Sequence, residues 1–229
     1  MGNLGPMGLS NWGDVRSTLQ YHLSPRDRRI SLSSDLPFGI KGTRCFMDAI
    51  DECQHYLEYG AGASTLAAYE TRRPMVTVES DKHFLRLVEE ACSSQSLHPK
   101  HGSSVFIHAN IGPTGTWGKP LFPAIPRPKT WKSYANAPWA ALGQNFRADA
   151  ILIDGRFRVA CALTVALQQQ DAPWTLLFDD YTERKEYWAT ENFLRVKEIC
   201  GRMAVFGPLP NLDTTAALRA LEHYSRDWR

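Results

Sequence analysis

The sequence lacks an apolar stretch long enough to span a membrane, and its N-terminus has neither the basic head nor the apolar core of a secretory signal. It also lacks an excess of one charge, because 26 Lys and Arg residues face 24 Asp and Glu residues and leave a net charge of +2. It contains no basic stripe of the kind that binds nucleic acid. These absences predict a soluble, cytoplasmic protein with no membrane or nucleic-acid partner.

The sequence has no C-x-x-C pair among its five cysteines, which are Cys45, Cys53, Cys92, Cys161 and Cys200. An odd number of cysteines without metal-type or redox-type spacing predicts small buried hydrophobic residues in a reducing compartment. With 229 residues and 43% hydrophobic content, the chain is long enough for one sizeable domain and short for two. We therefore expect a polar N-terminal lead-in over residues 1–38, with a short helix near 11–21, and a single domain over 39–229.

A glycine-rich turn follows the first predicted strand, which covers residues 55–59. Gly60 and Gly62 allow backbone N–H groups to approach a ligand where a Cβ would obstruct it, and the helix predicted from Ser64 offers its N-terminus to polar groups. The next predicted strand, residues 75–79, ends in Glu79, which is placed to hold a ribose diol. This arrangement predicts a pocket for an adenosine-containing cofactor.

The residues around this turn decide which cofactor is expected. A dinucleotide fingerprint has a third glycine at the position that Thr65 occupies, and Glu58 would repel a pyrophosphate. The pattern Glu58-x-Gly60-x-Gly62-x-Ser64 instead resembles the first motif of the class I S-adenosylmethionine (SAM)-dependent methyltransferases, which have a Rossmann-like fold. The resemblance implies that SAM binds here, with an acid near its methionine end. The cofactor-binding residues expected on this basis are Glu58, Gly60, Ala61, Gly62, Ser64, Thr65, Glu79, Ser80, Asn110 and Asp154.

Further apolar runs continue the alternation of strands and helices. Strands are predicted at 104–109, 148–154, 174–179 and 203–206, and helices at 39–53, 83–92, 159–170, 185–200 and 214–224. Continuous apolar runs separated by helices predict an α/β fold with a doubly wound, mostly parallel sheet and helices on both faces. The resemblance also implies a seventh, antiparallel strand, for which the sequence offers no strong candidate.

A long proline- and tryptophan-rich stretch, residues 112–147, separates the third and fourth predicted strands. Its six prolines predict a connection without regular helix or central strand, and its aromatic residues argue against disorder. The stretch leaves the carboxyl end of a strand, the edge at which open α/β sheets bind ligands. We therefore expect a lid over the substrate, with Trp117 among the substrate residues; the alternative is a simple packing insertion.

Acidic residues close four of the five predicted parallel strands: Glu58, Glu79, Asp154 and the pair Asp179-Asp180. A carboxylate at the tip of an apolar strand is costly to desolvate without a partner, so its repetition along one edge predicts bound cations. Without a metal, Asp154 or Asp179 is the candidate general base. The candidate cations are the SAM ammonium, a metal ion, and arginines such as Arg156, Arg158 and Arg184.

The spacing of Asp154 and Asp179-Asp180 resembles the catechol-type, metal-dependent O-methyltransferases, in which an acid after the fourth strand and an Asp-Asn pair after the fifth hold a divalent ion. Asp180 stands where that family has Asn. The resemblance implies Mg or Mn held by Asp154, Asp179 and Asp180. Segments 152–156 and 178–187 also resemble, more loosely, plant polysaccharide 4-O-methyltransferases, and Arg156 and Tyr181 in them are expected to contact substrate.

Together these resemblances imply a SAM-dependent methyltransferase that methylates an oxygen of a small molecule or saccharide, assisted by a divalent ion if the acids hold one. Two alternatives stay open. One is an NAD(P)-dependent oxidoreductase on a similar sheet, against which Thr65 argues. The other is a catalytically silent binding protein that has kept the fold.

Overall fold

A computed structural model of the protein describes residues 35–95, 103–122 and 128–229. The short helix predicted near residues 11–21 lies outside these ranges. Among the residues that the structure describes, no helix combines the length and the apolar character needed to cross a membrane.

A seven-stranded sheet forms the centre of the fold, with the strand order β3-β2-β1-β4-β5-β7-β6. The first five strands in the chain run parallel, and β7 pairs antiparallel with both β5 and β6. This arrangement confirms the predicted doubly wound, mostly parallel sheet. The strands are β1 (Tyr56–Tyr59), β2 (Met75–Glu79), β3 (Ser104–His108), β4 (Ala150–Ile153), β5 (Thr175–Phe178), β6 (Leu194–Cys200) and β7 (Met203–Pro208).

Helices cover both faces because successive strand residues point to opposite sides. On β1, Leu57 and Tyr59 belong to the core cluster that includes Trp131 and Phe157, whereas Tyr56 packs with Phe46 in the other. The described helices are α1 (Gly39–Glu52), α2 (Ala63–Glu70), α3 (Lys82–Gln95), α4 (Pro128–Leu142), α5 (Arg158–Gln168) and α6 (Thr214–Tyr224), with short 3-10 helices at Thr116–Gly118 and Lys185–Asn192.

The strand order reverses between β1 and β4, which pair in register from Tyr56 opposite Ala150 to Tyr59 opposite Ile153. From this pair the chain continues outward in opposite directions across the sheet. Connections leaving adjacent strands on opposite sides open a crevice at the carboxyl ends. The fold therefore places the segments after β1 and β4, residues 60–62 and 154–156, side by side at the usual ligand-binding edge.

The helix predicted over residues 185–200 is wrong. A 3-10 helix at Lys185–Asn192 is followed by the strand β6, which forms a hairpin with β7 through Gly201 and Arg202. Leu194 and Cys200 are buried while the five residues between them are exposed, as suits an edge strand. This hairpin supplies the antiparallel strand that the family resemblance implies.

The prediction that prolines exclude a regular helix from residues 112–147 is also wrong, because α4 occupies 15 residues of that stretch. Trp131, Tyr134, Ala135 and Trp139 are all buried and recur at helical spacing on one face. Burial of these large side chains outweighs the cost of Pro138 inside the helix.

The cysteine prediction holds only in part. Cys53, Cys92 and Cys161 are free and buried, as expected. Cys45 of α1 and Cys200 of β6 instead form a disulfide across a sequence separation of 155 residues, which contradicts the expectation of unbonded thiols. Cys45 and Cys200 meet only because α1 packs beside β6, so the local spacing of the cysteines does not predict the bond.

Candidate functional site

Two glycines meet at the point where the strand order reverses. Gly60, which follows β1, has a φ of +101°, a conformation that L side chains rarely adopt. A Cβ on Gly60 would lie 2.7 Å from the backbone nitrogen of Gly155, and a Cβ on Gly155 would lie 2.8 Å from that of Gly60. The turns after β1 and β4 can therefore approach this closely only because both residues are glycine.

Gly62 has the opposite surroundings. A Cβ built on this residue would meet no described atom within 4 Å, so the side of the turn at which it would project is open. The N–H of Gly62 donates to Thr65 Oγ1 at 2.9 Å, and Thr65 is fully buried in the first turn of α2. Thr65 therefore fixes the buried side of the turn. The open space on the other side, at Gly62, is called the cradle.

Glu58 lies in the core directly before the glycine turn and is fully buried. Its carboxylate accepts hydrogen bonds from the hydroxyls of Tyr56 at 3.0 Å, Ser64 at 2.9 Å and Thr77 at 2.9 Å. These donors come from β1, α2 and β2, so Glu58 joins all three elements of the strand–turn–helix–strand unit. Burial raises the pKa of Glu58 to about 7, although the hydroxyls oppose the shift.

Glu79, at the end of β2, borders the cradle next to Ala61. Its Oε1 accepts from the N–H groups of Ser80 and Asp81 at 2.6 and 2.8 Å, and its Oε2 accepts from the N–H of Ala61 at 3.1 Å. A carboxylate oxygen can accept two hydrogen bonds, so Oε2 keeps capacity for a ligand hydroxyl. Glu79 therefore links the glycine turn to the end of the neighbouring strand.

The segment after β3 folds over Glu79 and Ser80. Ser80 Oγ lies 3.0 Å from the carbonyl oxygen of Gly118, and Gly118 comes so close that a Cβ there would lie 2.4 Å from Ser80 Oγ. Trp117, directly before it, is 83% exposed and has a φ of +63°. Asn110 is exposed, and its Oδ1 accepts from the N–H of Gly112 at 2.9 Å. This edge therefore carries an exposed tryptophan beside the acid of β2.

Asp154, which follows β4, is the most accessible of the acids after β4 and β5, since 29% of its side-chain surface is exposed. Arg158 donates to its Oδ1 at 2.9 Å, and no described donor bonds its Oδ2. Burial raises the pKa of Asp154 to about 6, and the positive charge of Arg158 opposes the shift. Asp154 thus carries one anchored and one unpaired carboxylate oxygen.

Asp179 and Asp180 are held by arginines. Both oxygens of the fully buried Asp179 accept from Arg202, at 2.9 and 2.6 Å. Burial raises the pKa of Asp179, and the bond from Arg202 opposes the shift. Asp180 pairs with Arg184 at 2.9 Å and lies 3.4 Å from both Arg158 and Arg202. Because Asp179 is fully buried and pairs with Arg202 through both oxygens, an acceptor hydroxyl cannot reach it.

These pairings do not fit the metal site that Asp154, Asp179 and Asp180 were expected to form. Within the described part of the chain, the one group of metal-type ligand atoms lying within 4.8 Å of one another is Cys45, Glu198 and Cys200, and its two sulfurs are bonded to each other. Guanidinium groups occupy the positions at which a cation would bind the three aspartates. We derive no step through a metal ion.

The structure separates the two substrate residues expected near β4 and β5. Arg156 is partly buried, and its backbone N–H lies 3.4 Å from the hydroxyl of Tyr134. Tyr181 is instead buried against the rings of Phe178 and Phe206, and its hydroxyl donates to Glu191 at 2.7 Å. Arg156 is thus at the crevice edge, whereas Tyr181 is a core residue.

Sequence reasoning missed Arg202 and Tyr134. Arg202 lies in the β6–β7 hairpin turn, where a helix end was predicted, so its approach to Asp179 could not be foreseen. Tyr134 lies on α4, inside the stretch predicted to be non-helical; its hydroxyl lies 2.3 Å from where a Cβ of Gly155 would be. The helical spacing of Trp131, Tyr134 and Trp139 was the signal that could have revealed it.

Glu58 generates a pH-dependent prediction for stability. Its pKa is raised from 4.5 to about 7 in the folded protein. Below pH 4.5, Glu58 is protonated in both the folded and the unfolded protein, and its contribution to stability is fully present. Between pH 4.5 and 7 it ionises only in the unfolded protein, so the unfolding free energy decreases. The unfolding free energy of the wild type relative to Glu58→Gln should fall by about 3 kcal/mol across that window. Urea unfolding of both proteins at a series of pH values measures this difference.

The same series at high salt is the control. Because the shift comes from burial and not from surface charges, the slope should persist when exposed charges are screened. A difference between the two proteins that does not change with pH would show that Glu58 ionises normally in the core.

Comparison with known proteins agrees with this geometry. No protein-family model and no curated protein matches the sequence. Among solved structures, the methyltransferase-like protein SPO2022 from Silicibacter pomeroyi is 32% identical, with a TM-score of 0.70 over 84% of this chain and 97% of that protein. The S-adenosylhomocysteine (SAH)-bound methyltransferase PaMTH1 from Podospora anserina is 15% identical over 92% of this chain and 100% of its own, but its TM-score of 0.48 is too low to support an inference.

The match to SPO2022 extends over nearly the whole of both proteins at an identity well above what fold alone requires. The strand order, the glycine turn and the acid at the end of β2 in this chain agree with that relationship. The chain therefore belongs to the class I, Rossmann-like family of SAM-dependent methyltransferases.

Proposed function

We propose that the protein binds SAM in the crevice between the turns after β1 and β4, and that it transfers the methyl group to an oxygen of a small molecule or saccharide. The observation that carries this proposal is the open cradle at Gly62: Glu79 is bonded to the neighbouring Ala61, and the turn that carries the partly exposed Asp154 packs against Gly60. A cofactor and an acceptor can meet between these two acids.

The cradle suits SAM because of its charges. SAM carries an ammonium and a sulfonium but no phosphate, so an edge that presents carboxylates favours it. Glu79 is placed to accept from the ribose hydroxyls, and the backbone of the turn at Gly60 to Gly62 can approach the methionine part. Trp117, exposed beside Gly118, is the residue we expect to cover the bound cofactor and acceptor.

Asp154 is the residue we assign to proton transfer. Bound SAM supplies a methyl group on a positively charged sulfur. Arg158 fixes Oδ1 of Asp154, and Oδ2 remains to accept the proton of an acceptor hydroxyl. Its pKa of about 6 leaves Asp154 mainly ionised at neutral pH while keeping it a stronger base than an ordinary aspartate. Asp179, with both oxygens on Arg202, is not assigned to this role.

The oxidoreductase alternative is disfavoured by the same turn. A dinucleotide pyrophosphate needs backbone N–H groups at the glycine loop. Here the N–H of Gly62 is bonded to Thr65 and that of Ala61 to Glu79, whose charge would also repel phosphate. A silent binding protein differs from an enzyme only in its activity, which the methyl-transfer assay below measures.

Substitutions at the two glycines of the turn should separate ligand binding from folding. Gly62→Ala fills the open cradle, so SAM affinity should fall by at least about tenfold, while the unfolding free energy falls by less than about 1 kcal/mol. Gly60→Ala strains the backbone against Gly155 and should cost about 1–3 kcal/mol of stability. Calorimetric titration with SAM and urea unfolding measure the two effects. No heat from the wild type at millimolar SAM, or unchanged affinity in Gly62→Ala, would contradict the assigned cradle.

Methyl transfer from tritium-labelled SAM to a panel of hydroxyl and amine acceptors tests the reaction. We expect label on oxygen, no loss of activity with EDTA, and a decrease of about 100-fold or more in Asp154→Asn with SAM binding retained. Activity that EDTA removes and magnesium restores would contradict the arginine-paired acids described here. Label on nitrogen would overturn oxygen transfer, and SAM binding without transfer to any acceptor would favour the silent protein.

A further inference from the structure

The charged groups behind the crevice contain one arginine more than their pairing requires. Three carboxylates follow β4 and β5: Asp154, Asp179 and Asp180. Each is bound by at least one guanidinium, and these partners are Arg158, Arg184 and Arg202. Three acids and three arginines balance, and Arg156 is the fourth arginine at this edge.

The guanidinium of Arg156 has no hydrogen-bond or ion-pair partner among the described residues. No described carboxylate lies within 4.0 Å of its guanidinium, and its buried Nε has no hydrogen-bond acceptor. Burial and, secondly, the charge of Arg158 lower the pKa of Arg156. Arg158, only two residues along, shows the contrast: it bonds the backbone oxygens of Asp154, Gly155 and Asp179 and pairs with two carboxylates.

The buried Nε of Arg156 has neither water nor an acceptor, which is costly, whereas its two Nη groups remain open to a ligand. A bound anion would offset the repulsion between the charges of Arg156 and Arg158. The two Nη groups of a guanidinium can bind the two oxygens of a carboxylate. Arg156 is partly buried and lies two residues after the proposed base Asp154, in the turn that follows β4.

We propose that Arg156 binds a carboxylate on the methyl acceptor, so that the acceptor is a small molecule or saccharide that bears an acid group. This inference rests on the proposed function and adds the chemical class of the acceptor. The carboxylate would complete the charge pairing behind the crevice and fix the acceptor hydroxyl relative to Asp154. Arg156 is then a substrate-binding residue, and Arg158 is a structural one.

Two matched substitutions test the assignment without any knowledge of the acceptor. Arg156→Met removes an unpaired guanidinium and should leave the thermal midpoint unchanged or raise it by about 2–4 °C. Arg158→Met strips Asp154 and Asp180 of a partner and should lower it. An Arg156→Met protein that is destabilised as strongly as Arg158→Met would show that Arg156 is structural and would overturn the proposal.

Binding of a carboxylate probe is the second measurement. With SAH present, sodium benzoate should raise the midpoint of the wild type above that in sodium chloride at equal ionic strength. The increment should disappear in Arg156→Met and shrink in Arg156→Lys, which keeps the charge but lacks the paired donors of the guanidinium. Arg195→Gln, an exposed arginine on β6, is the control and should keep the increment. An equal increment in wild type and Arg156→Met would overturn the proposal.

Titration with SAM distinguishes this proposal from the proposed function. Equal SAM affinity in wild type and Arg156→Met is expected, because the acceptor and not the cofactor supplies the carboxylate. A several-fold loss of SAM affinity in Arg156→Met alone would assign the carboxylate to the methionine part of the cofactor and overturn the proposal. Absence of SAM binding in every variant, wild type included, would instead contradict the proposed function.

Discussion

The close backbone contact between Gly60 and Gly155 is the constraint on which the rest of the site depends. Neither position has room for a Cβ, so only this pair of residues allows the turns after β1 and β4 to meet where the strand order reverses. The contact fixes how the two turns leave the sheet. Gly62 consequently faces open space, while Asp154 and Arg156 follow on the other side. The positions proposed for cofactor and acceptor therefore depend on backbone geometry before any side chain contributes.

The acids at the strand ends are each stabilised differently, and the difference supports the roles proposed for them. Glu58 is saturated by hydroxyls and holds the turn from within the core. Asp179 is neutralised by a bidentate arginine and is closed to ligands. Glu79 and Asp154 keep accepting capacity at the surface of the crevice. Desolvation is costly for all of them, and only incomplete pairing leaves a carboxylate for chemistry.

The sequence predicts the structure around β1 and β2 well and the contacts around β4 and β5 poorly. The turn at Gly60 and the acid Glu79 follow from local patterns, because strand, turn and helix are contiguous there. Arg158 and Arg184 were foreseen as partners of the acids after β4 and β5, but Arg202, which pairs with Asp179, lies in a hairpin that was predicted to be helical. Charged residues such as Arg195, Lys197 and Glu198 suit an exposed helix as well as an edge strand. The role of Tyr134 was missed because the prolines around it argued against a helix. The Cys45–Cys200 bond was missed because 155 residues separate the two cysteines. The features that could not be predicted from the sequence are contacts between segments that are far apart in the chain.

The central claim is that the crevice between these two glycine turns is the SAM site. A crystal structure of the protein with SAH tests it most directly. The account predicts density for the ligand against Gly62, with its ribose hydroxyls on Glu79 and its sulfur on the side of Asp154. Density for SAH elsewhere on the protein, or none at saturating concentration, would contradict it.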